Sequence, residues 1–230
     1  MKIANTGLEL PAGKVKYHDR IIEGLTEKFE PKKVSPYFFE VLPDDYEKAD
    51  AIAILKSRLL DLLVLDIEKL ETRISRADDP AELAALKKCL AHLESEKPVC
   101  DLVMTDPEKV HIAALAPLSL KATVVVEESA PDANKLFAAL MEKAGVMFFY
   151  TAGKQEVRAW FIKKGFDAVT CAGKIHSDLA RGFVKAEVIK FDDLMTSHSF
   201  PDARTKGLTK LVDKDFIIEP ETVLEIRFNV

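Results

Sequence analysis

The sequence predicts an α/β fold of the α+β kind: a small α/β unit, interrupted by paired helices and followed by a strand-rich unit. Three observations carry that prediction. Apolar residues step by three or four positions through Leu55, Leu59, Leu63, Ile67, Leu70 and Ile74, and again through Leu83, Leu86, Leu90 and Leu93, which is the period of a helix face. After Gly145 the stepping gives way to alternation, with Val157, Ala159 and Phe161 on one face of a strand and Arg158, Trp160 and Ile162 on the other. The opening segment is cut by Pro11, Pro31, Pro36 and Pro43 and by Gly7, Gly13 and Gly24, so its elements must be short.

In chain order, a strand is predicted at Lys2–Asn5, a helix near Asp19–Phe29 and an apolar strand at Tyr37–Leu42. A long helix is expected from about Asp45 to Arg76. It stops at Asp78-Asp79-Pro80, where Asp79 suits the N-cap, Pro80 the first and Glu82 the third position of a second helix, Pro80–Glu96. Two apolar stripes joined by a tight acidic turn make an antiparallel helical hairpin, which Pro98 ends. A helix at Pro107–Ala116, a buried strand at Ala122–Val126 and a helix at Asp132–Ala144 lead to Gly145. Met147–Thr151 and Val157–Ile162 then flank the Gly153-Lys154 turn as a β-hairpin. Asp167 caps a single helix that buries Ala168, Ala172, Ile175 and Leu179 and ends at Gly182. Strand Phe183–Ile189, an irregular polar stretch to Lys206, and strands at Phe216–Ile218 and Val223–Val230 complete the order. Hairpin, helix, strand and closing hairpin are the parts of a β-grasp, ubiquitin-like domain.

The chain of 230 residues, 48% apolar and 31% charged, is long enough for an ample core. A net charge of −5 excludes a surface that coats nucleic acid everywhere but leaves room for a local basic face. The opening MKIANTGLELPAGK lacks the apolar core of a signal peptide. The most apolar segment, LLDLLVLDI, is broken by Asp61 and Asp66 and is too short to span a bilayer. Cys89, Cys100 and Cys171 are far apart and odd in number, as free thiols in a reducing compartment would be. The expected location is the cytoplasm, with no membrane partner.

Charge in the last third is segregated. From Val146 to Lys190 there are eight Lys/Arg against four Asp/Glu, and from Phe191 to Val230 five against eight. Lys154, Arg158, Lys163, Lys164, Lys174, Arg181 and Lys185 are expected to form one basic patch across the hairpin and helix. His176-Ser177-Asp178 is no catalytic relay, because successive helical residues point about 100° apart. The histidines show no metal-ligand spacing, and Asp44-Asp45, Glu127-Glu128 and Asp192-Asp193 read as cap or loop residues. Neither a catalytic residue nor a metal site is expected.

Three strings close the chain: FFYTAGKQEVRAWFIKKG, AGKIHSDLARGFVKAEV and the terminal EIRFNV. Together they resemble the C-terminal TGS domain of the YchF family, the Obg-like P-loop ATPases. LDIEKLETRI and AHLESEKP resemble that family's helical domain, and MKIANTGLELPAGKVKY resembles its nucleotide-binding opening in altered form. The family's phosphate loop has the form G-x-x-x-x-G-K-[ST], whose lysine reaches the phosphates and whose hydroxyl binds magnesium. Here Gly7 and Gly13-Lys14 are separated by five residues, Val15 replaces the hydroxyl residue, and no D-x-x-G lies between Lys14 and the long helix. ATVVVEES resembles the strand before the family's N-x-x-E motif, without the asparagine.

The resemblance implies a truncated P-loop GTPase-like unit at 1–50 and 99–144, a helical hairpin at 51–98 and a TGS β-grasp domain at 145–230. It implies a non-catalytic protein that binds RNA, the ribosome or a translation-associated partner through the seven basic residues. No cofactor is expected. The alternative is an ATP- or GTP-binding protein using Gly7, Gly13 and Lys14, with Mg. A protein partner on the hairpin is a further expectation.

Overall fold

In the computed structural model, which describes residues 1–229, the chain divides into two compact units. One comprises Met1–Val15 and Phe38–Ala144, the other Lys16–Tyr37 and the chain from Gly145 onward. The first half of the chain supplies β1 (Lys2–Thr6), β2 (Gly13–Lys16), α1 (Arg20–Phe29), β3 (Lys33–Ser35), β4 (Phe38–Pro43), β5 (Ala51–Leu55), α2 (Leu59–Ile74) and α3 (Pro80–Glu94). There follow α4 (Asp106–Leu115), β6 (Ala122–Val126), α5 (Ala133–Lys143), β7 (Val146–Ala152) and β8 (Glu156–Lys163). The remainder forms α6 (Ala168–Ile175), α7 (Ser177–Arg181), β9 (Phe183–Lys190), α8 (Phe191–Met195), α9 (Phe200–Thr205), β10 (Lys210–Val212) and β11 (Thr222–Phe228).

The first unit is built on a sheet of order β2-β4-β1-β5-β6, in which β1 pairs in parallel with β4 and β5, and β5 with β6. Parallel strands need both faces covered, so the central ones are continuous apolar runs. Ala51, Ile52, Ala53 and Ile54 are all fully buried. This strand corrects the expected helix from Asp45, which begins only at Leu59. A run of small and β-branched residues suits a strand buried on two sides, and Leu55 belongs to its end rather than to a helix stripe.

Helices α2 and α3 pack against each other across the turn at residues 75–79. Asp79 accepts a hydrogen bond from the Ala81 N–H at 3.0 Å, Pro80 occupies the first turn, and Arg73 holds Glu82 with two bonds of 2.7 and 2.9 Å. Leu86 and Leu93 are fully buried with Leu62, Leu63 and Leu70 in the core of this unit, so the apolar seam faces inward.

The second unit has a mixed sheet of order β10-β9-β11-β7-β8-β3. β7 and β8 form the expected hairpin, from Val146↔Lys163 to Ala152↔Val157. The last strand, β11, runs antiparallel to β9 and parallel to β7. Its expected final residue, Val230, lies outside the described residues. Phe216–Ile218 is no strand but carries one bridge, Asp167↔Ile217. The expected helix from Asp167 to Gly182 is interrupted at His176, whose backbone is extended and whose Nδ1 accepts from the Asp178 N–H at 3.2 Å. The expected irregular stretch contains α8 and α9, the latter N-capped by Ser199 with Pro201 in its first turn.

Residues 16–37 belong to this second unit, whereas the sequence placed 1–50 in the first. β3 adds in parallel to the β8 edge, Lys33↔Glu156 to Ser35↔Arg158. α1 buries Ile21, Ile22 and Leu25. Asp19 caps it through the Ile21 N–H at 2.9 Å and accepts the Tyr150 hydroxyl at 2.7 Å. Tyr37 stacks on Phe161 with centroids 4.8 Å apart and also meets Phe148 at 5.0 Å. Gly24 sits mid-helix because a Cβ there would lie 2.7 Å from the Phe191 ring.

Candidate functional site

Two regions bear on function: the turn after β1, and the basic side chains of the second unit. β1 ends in Asn5 and Thr6, both buried, and Gly7 turns the chain with φ +77°. A Cβ at Gly7 would press on Leu55 and Arg58 at 3.1 Å, so only glycine fits there without displacement. The Asn5 amide donates to the Leu8 carbonyl at 3.0 Å, Leu8 is buried, and the Glu9 N–H donates to the Ser129 carbonyl at 2.6 Å.

A phosphate cradle needs its Gly-Lys pair at the start of a helix, where free N–H groups and the helix dipole face the anion. Here Gly13 and Lys14 open the strand β2 instead. β4 lies between β2 and β1, so Lys14 is on a strand two spacings from β1, about 10 Å away laterally. Gly7 and Gly13-Lys14 are therefore not joined by a strand–loop–helix unit, and Val15 offers no oxygen.

The seven basic residues of the second unit are distributed over several places. Lys154 is in the hairpin turn, Lys163 and Lys164 at the opposite end of the hairpin, about 25–30 Å along the strand. Arg158 lies on the face that carries Trp160 and Ile162, stacked 3.9 Å over the Trp160 ring, whose N–H donates to Thr151 at 2.9 Å. Ile162, Met147 and Phe149 pack there with Ala168 and Cys171 of α6, the helix that also carries Lys174. Lys185 is on the other face, because Ala186 and Val188 point toward the α6 core. It pairs with Asp213, and Arg181 pairs with Asp178. Among the described residues Lys154, Lys163 and Lys174 form no ion pair.

The aromatics of the β7–β8 hairpin, which could stack on bases only if exposed, are mostly interior: Phe148, Phe149 and Tyr150 are buried, and Trp160 is half-buried under Arg158. Burial pushes the Cys89 thiol up to about 11 and the Cys171 thiol up to about 12, so neither is a nucleophile at neutral pH. Among the described residues no group of three His, Cys, Asp or Glu is placed to hold a metal ion, and no helix is long and apolar enough to cross a membrane.

One feature of this unit has no clear signal in the sequence. Glu187 is fully buried, yet it accepts from Arg204 at 2.8 and 2.6 Å and from Arg227 at 2.9 Å. The Arg204 bonds first, then those from Thr209 and Arg227, outweigh burial and hold its carboxyl down at about 2. A depressed carboxylate contributes stability above its unfolded pKa and loses it as the folded one is reached. Stability is therefore expected to fall between about pH 4.5 and pH 2. Glu187→Gln should remove about 2 kcal/mol at pH 7 and flatten that acid limb in urea unfolding; an unchanged limb would show the clamp to be idle.

The YchF-GTPase C-terminal family model, described as "Protein of unknown function (DUF933)", matches residues 146–229. The ribosome-binding ATPase YchF of Bacillus subtilis is 28% identical over 249 aligned positions, covering 80% of this chain and 68% of that protein. The protein of the same name from Mycoplasma genitalium is 42% identical over 97 positions, 42% of this chain and 26% of the relative. The rat Obg-like ATPase 1 is 40% identical over 93 positions, 40% of this chain and 22% of that protein. Among solved structures, the Schizosaccharomyces pombe YchF GTPase superposes with a TM-score of 0.74 over 93% of this chain and 86% of that one, at 17% identity, which is a likeness of fold.

Proposed function

Because the chain belongs to the YchF family, we propose that it is a non-catalytic member that binds the ribosome, through ribosomal RNA, by the basic side chains of its second unit. The observation that carries the first half of this reading is β2: a strand begins at Gly13-Lys14 where a nucleotide-binding member needs a helix. The absent hydroxyl at Val15 supports it further. The ribosomal half is supported by the names of the relatives, ribosome-binding ATPases, and by Lys154, Arg158, Lys163 and Lys174, which form no ion pair among the described residues. We read the second unit as a TGS domain of β-grasp type. In its support, β7, β8, α6, β9, β10 and β11 follow one another with the last strand parallel to the first at the sheet centre. The piece 16–37 then adds an edge strand and a covering helix.

The alternative, ATP or GTP with Mg held at Gly7, Gly13 and Lys14, is separated by one measurement. Calorimetric titration with either nucleotide and Mg is expected to give only heats of dilution, and ribosome co-sedimentation should be the same with and without nucleotide. A saturable signal that disappears in Lys14→Ala would transfer the assignment to the nucleotide reading.

A further inference from the structure

We propose that the outer edge of β6 is a docking site for an extended segment of a protein partner, one that carries an apolar side chain beside a lysine or arginine. β6 ends the sheet of the first unit, with β5 on its inner side only. In a parallel strand the N–H and C=O of one residue point to the same neighbour, and successive residues alternate. Thr123 points outward: its N–H meets the Cys100 sulfur at 3.4 Å, and its carbonyl accepts the Lys143 ammonium at 2.6 Å. Val125 shares that orientation, and among the described residues nothing pairs with its main-chain groups; Glu127 follows just past the end of the strand. The protein thus closes this edge at Thr123 and leaves the next outward position, Val125, open.

Natural sheets blunt their exposed edges, and Glu127-Glu128 alone could be such a guard. A guard does not account for the hollow beside it. Val124, Val126, Pro131 and Leu136 line a cleft of about 460 Å³ between the strand and α5, with Glu127, Glu128, Asp132 and Lys135 at its sides. Three carboxylates against one ammonium leave the rim acidic. A strand laid along β6 at Val125 would direct alternate side chains into this cleft and set its flanking residues against the acidic rim. Charge decides the occupant: two copies pairing antiparallel over the same stretch would bring both Glu127-Glu128 pairs together, whereas a basic segment is attracted.

Fluorescence anisotropy of the full chain with a labelled hexapeptide alternating lysine and valine tests this. Saturable binding is expected, weakened at least about tenfold when glutamate replaces the lysines. Val125→Pro removes one outward N–H without breaking a ladder bond and should abolish binding while circular dichroism stays unchanged. Glu127→Lys with Glu128→Lys should invert the preference for the two peptides. Should Val125→Pro misfold, a peptide N-methylated at alternate residues must lose affinity for the wild-type chain. Equal binding of both peptides, no saturation up to about 1 mM, or indifference to both Val125→Pro and N-methylation would overturn the proposal. So would a dimer in ultracentrifugation that dissociates on Val125→Pro, since the edge would then belong to a second copy.

Discussion

Asp66→Ala is expected to lower the stability of the first unit by about 3–5 kcal/mol, while Asp61→Ala changes it by less than about 0.5 kcal/mol. Both acids interrupt the same apolar helix. Asp66 is fully buried, and its two oxygens accept the Leu118 N–H at 2.6 Å and the Ser119 N–H at 2.8 Å. Those donors open the short turn before β6, and the Ser119 hydroxyl in turn accepts the Val99 N–H at 3.1 Å. Without the carboxylate two buried donors lose their partners, at about 1–3 kcal/mol each, with a void added. Asp61 is exposed, and its 2.5 Å pair with Arg58 is in solvent. Hydrogen exchange across residues 59–74 in rising urea reads this unit apart from the other. A loss below about 1 kcal/mol for Asp66→Ala would show that water or backbone movement replaces the carboxylate.

That contrast marks what a sequence conveys. Periodicity placed α3, its Asp79 cap and the β7–β8 hairpin, because each depends on residues near one another in the chain. It could not tell Asp66 from Asp61, since burial of the former depends on backbone donors some fifty positions away. The same limit hid β5: its apolar run fits the front of a helix stripe until parallel neighbours claim it. It also misplaced residues 16–37, whose amphipathic helix was visible but whose partner, the face with Phe148, Tyr150 and Phe161, was not. For the candidate site, the missing hydroxyl at Val15 was legible, and the replacement of a helix by β2 was not. The basic residues were legible as a count. Their division between faces followed from strand register, which sets Lys185 opposite Arg227 and Arg158 opposite Thr151.

That division sharpens the largest functional prediction: Lys154→Glu, Arg158→Glu and Lys174→Glu combined should weaken ribosome binding about a thousandfold, roughly tenfold per site. A cation that meets phosphate releases a counterion, so the plot of log affinity against log salt should become shallower by about one for each site lost. Arg181→Glu and Lys185→Glu are the comparison. Their charges already face Asp178 and Asp213, and Lys185 is on the opposite face of the sheet. Replacing them should cost well under tenfold, because an already paired cation has less to offer phosphate. Arg158 also lies over Trp160, so Arg158→Lys distinguishes stacking from charge: it keeps the cation and gives up the planar contact. Co-sedimentation with ribosomes across a salt series measures all of these together. If the triple variant binds like wild type with an unaltered salt slope, or if Arg181→Glu with Lys185→Glu is equally damaging, the assignment of the contact to Lys154, Arg158 and Lys174 fails.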